Sequence, residues 1–405
     1  MTTVSARTRL GLPSRRARTR AGAAILAAAL LGAPALAPAP AGAEPVLPPS
    51  GVLYATNSRS GDVSSLAIGP GATLSPLATS PVSTGGCTPE GTGPGCTPRG
   101  IALAPNGATA YVVNSDSSTL AVFRVGVTGA LQPNPRLFKT GKEPWGATIA
   151  PNGRTLYVTD TADATVSAFH LAADGTPSRF AAFRTTSDSP KATVLSPDGR
   201  FLYLSYANTD ETEDSPARPI TRYAVLPDGS LGAPQDVAKA GPANFGITMS
   251  PDGGLLYVTS NVAQNVQGFR VGQDGSLKPV PGLPTVPAAV GLRVTPDGRH
   301  LYVSANIDPG EPLGGLYGFT IRADGSLVPT DDSPARTAGT SSVAITPDGR
   351  DVFANIQDDS AIEAFTIGFE GTLKQAKGSP FPTGGKRPLS QSLAVRPVPG
   401  SPTPQ

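Results

Sequence analysis

The chain has 405 residues, among them 47 Gly and 44 Pro, with 39% hydrophobic, 15% charged and 6% aromatic residues. Gly and Pro together stand at about twice their usual share, yet no Gly-X-Y period appears and the apolar fraction is substantial. Collagen and a wholly disordered chain are excluded, and many short strands joined by many turns are indicated.

Residues 1–43 carry six arginines (Arg7, Arg9, Arg15, Arg16, Arg18 and Arg20) and no acid. An apolar run from Ala21 to Leu31 follows, then the small-residue end Ala41-Gly42-Ala43. This pattern predicts a secretory signal peptide, and hence a secreted, extracellular protein. The apolar core is too short for a membrane span and is interrupted by Pro34, Pro38 and Pro40, so the chain is not expected to span a membrane. Ser14-Arg15-Arg16 hints at twin-arginine export, but Arg18 occupies a place where that signal wants an apolar residue. Cleavage would take six of the 32 Lys and Arg and none of the 30 Asp and Glu, leaving 26 against 30, a net charge of −4. An acidic body without a basic run gives phosphate backbones nothing to bind, which excludes nucleic acid as a partner. A Pro-rich linker over 44–50 leads into the repeats, and a Pro-rich tail covers 398–405.

Six turns punctuate the rest of the chain: Pro105-Asn106-Gly107, Pro151-Asn152-Gly153, Pro197-Asp198-Gly199, Pro251-Asp252-Gly253, Pro296-Asp297-Gly298 and Pro347-Asp348-Gly349. Each follows a short aliphatic run and precedes an aromatic-containing strand, as in Leu156-Tyr157-Val158-Thr159-Asp160. A third strand is marked by an apolar residue and an aromatic three places later (Val166 and Phe169), and a second turn such as Asp228-Gly229 opens a fourth. Four antiparallel strands in a unit of roughly 46 residues is the pattern of a β-propeller blade. Leu53-Tyr54-Ala55-Thr56-Asn57 adds a seventh copy of the second strand, and Ser392–Pro397 matches the first strand 50 residues after Pro347. The fold class expected is therefore all-β, a seven-bladed β-propeller over 51–397, with the last strand closing the N-terminal blade so that no sheet edge stays open.

The repeat is broken in three places. From the second-strand aromatic to the third-strand marker the separation is 12 residues in five units, but 20 from Tyr203 to Tyr223 and 17 from Tyr302 to Phe319. The extra residues form loops at 207–219, with Asp210, Glu211, Glu213 and Asp214, and at 306–315, with Asp308 and Glu311. A third insertion at 85–96 contains Cys87 and Cys96, the only cysteines, for which a disulfide staple is expected in an exported chain. Propeller topology puts all three on the face opposite the Pro-Asp-Gly turns, which makes that face the candidate functional one. Drift in surface loops would give the same picture.

Only His170 and His300 exist, and both sit where other units carry ordinary strand residues, so both read as surface histidines. A Ser-His-Asp triad and a His-rich metal centre are excluded on that ground. No metal or other cofactor is expected, except that the acids at 210–214 are the oxygen donors a calcium ion takes, or simply a solvated loop. Six places before each turn proline stand Arg99, Trp145, Lys191, Phe245, Val290, Ser341 and, on the closing strand, Gln391. These mark the mouth of the central channel. Two cations, two aromatics and an amide suit an anionic or sugar-like small molecule; the same residues would equally fill the space between blades.

The units resemble the Tyr-Val-Thr-Asn repeats of bacterial seven-bladed propellers, and more closely the lactonase family that includes 6-phosphogluconolactonase and fungal carboxymuconate cyclase. The resemblance covers 51–397 and rests on Ser-Pro-Asp-Gly-Arg-x-Leu-Tyr followed by Asp-Gly-Ser-Leu, as at 196–203 and 228–231. It implies the propeller fold, and a lactonase site built on a Gly-Pro-Arg-His stretch followed by an Asn-Glu pair. Here Thr97-Pro98-Arg99-Gly100 keeps the arginine but places Gly100 where the histidine would stand, and Asn114-Ser115 lacks the glutamate. Two functions are therefore open. One is a binding scaffold for a small molecule, a cell-envelope component or a protein. The other is a lactone hydrolase with a rebuilt site around Arg99, Lys191 and the acidic loops.

Overall fold

The computed structural model describes residues 51–85, 97–282, 284–307, 314–336 and 338–397. Seven antiparallel sheets follow one another around a ring, as expected. Blade 3 shows the plan, running outward from the channel through Pro144–Ile149, Thr155–Asp160, Thr165–Leu171 and Pro177–Arg184. The inner strands of blades 2, 4, 6 and 7 are Pro98–Leu103, Pro190–Leu195, Ala289–Val294 and Thr340–Ile345, and that of blade 5 is shortened to Ile247–Met249. Blade 1 takes its inner strand from the other end of the chain: Pro388–Pro397 lies antiparallel to Gly51–Asn57, pairing Leu53 with Val395 and Gly51 with Pro397. Among the described residues no helix is long and apolar enough to cross a membrane.

The turns behave as their chemistry requires. Gly199 has φ +71°, a left-handed conformation that a side chain disfavours, while the Asp198 carboxylate accepts from Arg200 N at 3.0 Å and from the Ser196 hydroxyl at 2.5 Å. The same Asx closure recurs at Asn106, Asn152, Asp252 and Asp297.

The repeated strand is buried on both faces because each face meets a different blade. In blade 3, Leu156 and Val158 pack with Tyr111, Val113 and Leu120 of blade 2, whereas Tyr157 and Val166 pack with Leu202, Leu204 and Tyr223 of blade 4. Strand alternation thus converts a run of apolar residues into two inter-blade cores. The polar atoms in the run serve the same joints. Each strand tyrosine donates to the carbonyl of the Gly in the next blade's outer turn: Tyr54 to Gly129, Tyr111 to Gly175, Tyr157 to Gly229, Tyr203 to Gly275, Tyr257 to Gly325 and Tyr302 to Gly371, at 2.6 to 2.9 Å. At the other end of the joint, Thr56, Thr159 and Thr259 donate to the carbonyls of Arg99, Lys191 and Val290, at 2.7, 2.7 and 2.9 Å. Tyr and Thr of the repeat therefore bolt one blade to the next near its two faces. Blade 7 carries Phe353 at the tyrosine position, and its joint to blade 1 is a core of Phe353, Ile362, Leu53, Leu66 and Leu393.

The two histidines part company. His170 is exposed, as expected, and stacks on Phe180 with ring centroids 3.8 Å apart. His300 is not a surface residue: it is only 4% exposed, at the first position of its strand, because the turn at Gly371 of blade 7 seats over it. A Cβ added at Gly371 would stand 2.3 Å from His300 Nδ1. Neither ring nitrogen has a hydrogen-bond partner, and burial holds its pKa below the usual histidine value.

Candidate functional site

The seven inner strands converge at the face opposite the Pro-Asp-Gly turns, and the residues six places before each turn proline come together there. Trp145 of blade 3 lies between the cations of its two neighbours. Arg99 Cζ is 3.7 Å from the centroid of the indole and Lys191 Nζ is 3.8 Å from it. Phe245, just ahead of the blade 5 strand, closes the stack at 6.3 Å from Trp145. Gln391 crosses the opening from blade 1, with Nε2 3.5 Å from the Phe245 carbonyl and Oε1 beside Gly146 of blade 3.

This arrangement depends on small residues one place further along each strand. A Cβ at Gly100 would stand 2.8 Å from the Trp145 carbonyl oxygen and 3.1 Å from Ala147 N, and one at Gly146 would stand 2.7 Å from the Lys191 carbonyl. The glycines let adjacent inner strands approach closely enough for Arg99, Trp145 and Lys191 to stack. In this chain the histidine that the lactonase pattern would place at position 100 has no room.

The electrostatics are those of desolvated cations. Burial lowers the Arg99 pKa to about 10, against the opposing pull of Asp116 and Glu143. Burial, and then the Arg99 charge, lower that of Lys191 to about 8. Lys191 is 4% exposed and Trp145 8%. Neither cation is in an ion pair among the described residues, and Arg99 Nε and Trp145 Nε1 are buried without any acceptor. Buried donors are nearly always matched, so two neighbouring donors, Arg99 Nε and Trp145 Nε1, that lack acceptors among the described residues call for an acceptor from outside the chain.

Over the stack opens a cavity of about 430 Å³, walled by Arg99, Trp145, Phe245, Val290 and Ser341 below and by loop residues Asn208, Thr209, Glu211, Asn261, Asn306 and Gln357 around it. The 207–218 insertion does decorate this face. Of its acids, Asp210, Glu213 and Asp214 are exposed, while Glu211 turns inward to accept from Arg218, Ala243 N and Asn208 N. Arg218 also bonds Asp188 at 2.5 Å, so the loop is tied down over the mouth by its own ion pairs. Among the described residues no group of three or more His, Cys, Asp or Glu is arranged to hold a metal. Cys87, Cys96, Asp308 and Glu311 lie outside the described residues.

Counting from the turn prolines did not reach Arg387, which also lines the cavity and whose charge adds to that of Arg99. Its guanidinium donates to the Gln357 amide oxygen, with Nε and Nη2 at 3.2 and 3.0 Å. Arg387 immediately precedes the closing strand and has φ +55°, as Glu143, Ser189 and Ala288 do ahead of theirs at +51°, +53° and +45°. This left-handed residue turns its side chain out of the strand period, which is why a strand-based count overlooks it.

Comparison with known proteins agrees with the geometry. The lactonase, seven-bladed β-propeller family matches residues 79–213 and 220–385. No curated protein matches the chain by sequence. Among solved structures, a candidate 6-phosphogluconolactonase of Bacteroides uniformis superposes with a TM-score of 0.67 at 20% identity, over 85% of this chain and 99% of that one. A second, from Bacteroides fragilis, gives 0.68 at 17% identity over 87% and 99%. The periplasmic gluconolactonase of Pseudomonas aeruginosa gives 0.66 at 19% identity over 86% and 99%. At these identities the structures speak to the fold alone, but the family match spans well over half of the sequence, and the chain belongs to the lactonase family of seven-bladed β-propellers.

Proposed function

We propose that the channel mouth binds a small oxyanion-bearing polar molecule, of the sugar-acid class, and that the protein acts by binding it. The observation that carries this reading is the Arg99–Trp145–Lys191 stack, in which Arg99 Nε and Trp145 Nε1 are buried without an acceptor among the described residues. A carboxylate or phosphate supplies that acceptor to the guanidinium and ammonium groups, and the ring of Phe245, which also lines the cavity, suits a sugar ring. Calorimetry with gluconate and 6-phosphogluconate tests it. Saturable binding that Arg99→Gln weakens at least tenfold supports the reading, and no heat with either ligand refutes it.

A second reading is favoured by one feature. The Lys191 amine, with its pKa at about 8, holds a neutral fraction near pH 7.5 in a family whose named relatives act on lactones. A neutral amine there would take a proton from water as its oxygen adds to a lactone carbonyl, with Arg99 facing the developing oxyanion, and the resulting ammonium would return that proton to the ring oxygen as the C–O bond breaks and it leaves as an alcohol. Turnover of gluconolactone abolished by Lys191→Met would replace the binding reading with this one. We further propose that the mature chain is exported after loss of residues 1–43, on the strength of the Arg-rich, apolar, Ala-Gly-Ala pattern alone. N-terminal sequencing of the protein recovered outside the cell tests that.

A further inference from the structure

Below the mouth the channel narrows between the inner strands, and one blade breaks its pattern. Three places before the turn proline the blades carry Ala102, Thr148, Val194, Thr248, Ala344 and, on the closing strand, Ala394. All are short and uncharged, and of them Thr148 lines the central cavity. Blade 6 carries Arg293. Its side chain lines the central cavity with Thr148, Thr193 and Ser342, and this cavity shares Phe245, Val290 and Gln391 with the mouth or its rim. Arg293 stands three residues beyond Val290 on an extended strand, roughly 10 Å further down the channel.

The surroundings of Arg293 are unusual for a cation. Its side chain is exposed to the solvent of the channel, although strands surround it closely enough for desolvation to lower its pKa. Among the described residues no carboxylate lines the cavity, whose wall is glycine, alanine, threonine, serine and aliphatic residues with Phe245 and Gln391. Among the described residues its guanidinium makes no ion pair and no hydrogen bond. Burial is the one influence on its pKa, which is lowered, and arginine stays charged regardless. A permanent, uncompensated charge in a channel whose lining carries no opposite charge favours entry of an anion. The planar fork of five N–H donors fits the oxygens of a carboxylate or phosphate. Ser342 of blade 7, which lines the same cavity, offers a hydroxyl with no partner among the described residues.

We propose that Arg293 makes the central channel a second anion site, separate from the mouth, which holds one carboxylate or phosphate group on its guanidinium. The site does not depend on the mouth reading, since Arg293 touches neither Arg99 nor Lys191. The test titrates the mature protein with inorganic phosphate and, separately, with acetate, which distinguishes the two sources of oxyanion. Arg293→Gln should lower affinity for at least one of them tenfold or more at the channel site, while the binding removed by Arg99→Gln persists; Arg293→Lys should recover part of the loss. Crystals of the unaltered protein soaked in bromide give a reading independent of any variant's folding: an anomalous peak beside Arg293 is expected. Phosphate and acetate isotherms of Arg293→Gln that superpose on those of the unaltered protein, or a channel without bromide beside Arg293, would overturn the proposal.

Discussion

Restoring the histidine of the lactonase pattern at position 100 is the perturbation that most sharply separates this chain from its relatives. In Gly100→His the new Cβ meets three backbone atoms of blade 3: the Trp145 carbonyl oxygen at 2.8 Å, Ala147 N at 3.1 Å and Gly146 Cα at 3.1 Å. None is the end of a flexible side chain, so the blade 3 inner strand must retreat by a few tenths of an ångström. That retreat strains the Thr159–Lys191 bolt and displaces Trp145 from between Arg99 and Lys191. Overpacking of this kind costs about 1 to 3 kcal/mol, and backbone rather than side-chain contacts place it toward the upper end. Urea unfolding followed by Trp145 fluorescence, the sole tryptophan, reads stability and the local environment together. The expected result is a lower midpoint with an unchanged slope, altered native fluorescence and no gain of lactone turnover. A variant as stable as the parent, with the same fluorescence, would show that blade spacing does not exclude a side chain at 100.

Other outcomes follow from the joints between blades. Tyr157→Phe removes a buried bond of 2.7 Å to the Gly229 carbonyl and should cost about 1 to 2 kcal/mol in urea unfolding; an unchanged midpoint would deny the latch its role. Asp351, 8% exposed at the seam between blades 7 and 1, is raised to a pKa of about 6 by burial and then by Asp348. Its folded pKa lies above the unfolded value, so the carboxylate penalises the fold above pH 6 and that penalty fades as pH falls toward 4. Asp351→Thr, the residue blades 2 and 3 carry there as Thr109 and Thr155, should stabilise the protein at pH 7 by about 1 to 2 kcal/mol after allowance for solvent at the seam, with little gain at pH 4.5. Equal gains at both pH values would contradict this. Thiol titration of the unreduced, denatured mature protein should find no free thiol at Cys87 or Cys96; two thiols would remove the expected staple.

How much of this the sequence disclosed depends on the range of the contact. Features set within one blade were readable: the Asx-Gly turns, the four strands, the extra residues at 207–219 and the mouth positions counted back from Pro105, Pro151 and Pro197. Closure by 392–397 was readable because a first strand lacked a successor. Contacts between blades join residues some 30 to 75 positions apart, as Tyr157 with Gly229 or Thr159 with Lys191, and periodicity says nothing of which partner lies across the joint. His300 was misjudged for that reason, since its burial is imposed by Gly371 of the following blade. Gly100 looked like a lost catalytic residue, whereas the structure makes it the clearance that allows the cation–indole stack. Arg387 escaped because a left-handed residue lies outside the strand count, and the tether from Glu211 to Arg218 and Ala243 required the loop's path to be known.

The central claim is that Lys191 and Arg99, on either side of Trp145, hold an anion at the mouth. Because Lys191 is a cation only below its pKa of about 8, its share of the affinity must vanish as pH rises through that value. Calorimetric titration of the mature protein with 6-phosphogluconate at pH 6.5 and pH 9.5 should therefore show affinity falling about tenfold, with Lys191→Met already weak at pH 6.5 and insensitive to the change. Affinity that is equal at the two pH values in the unaltered protein, or unaffected by Lys191→Met, would contradict the account.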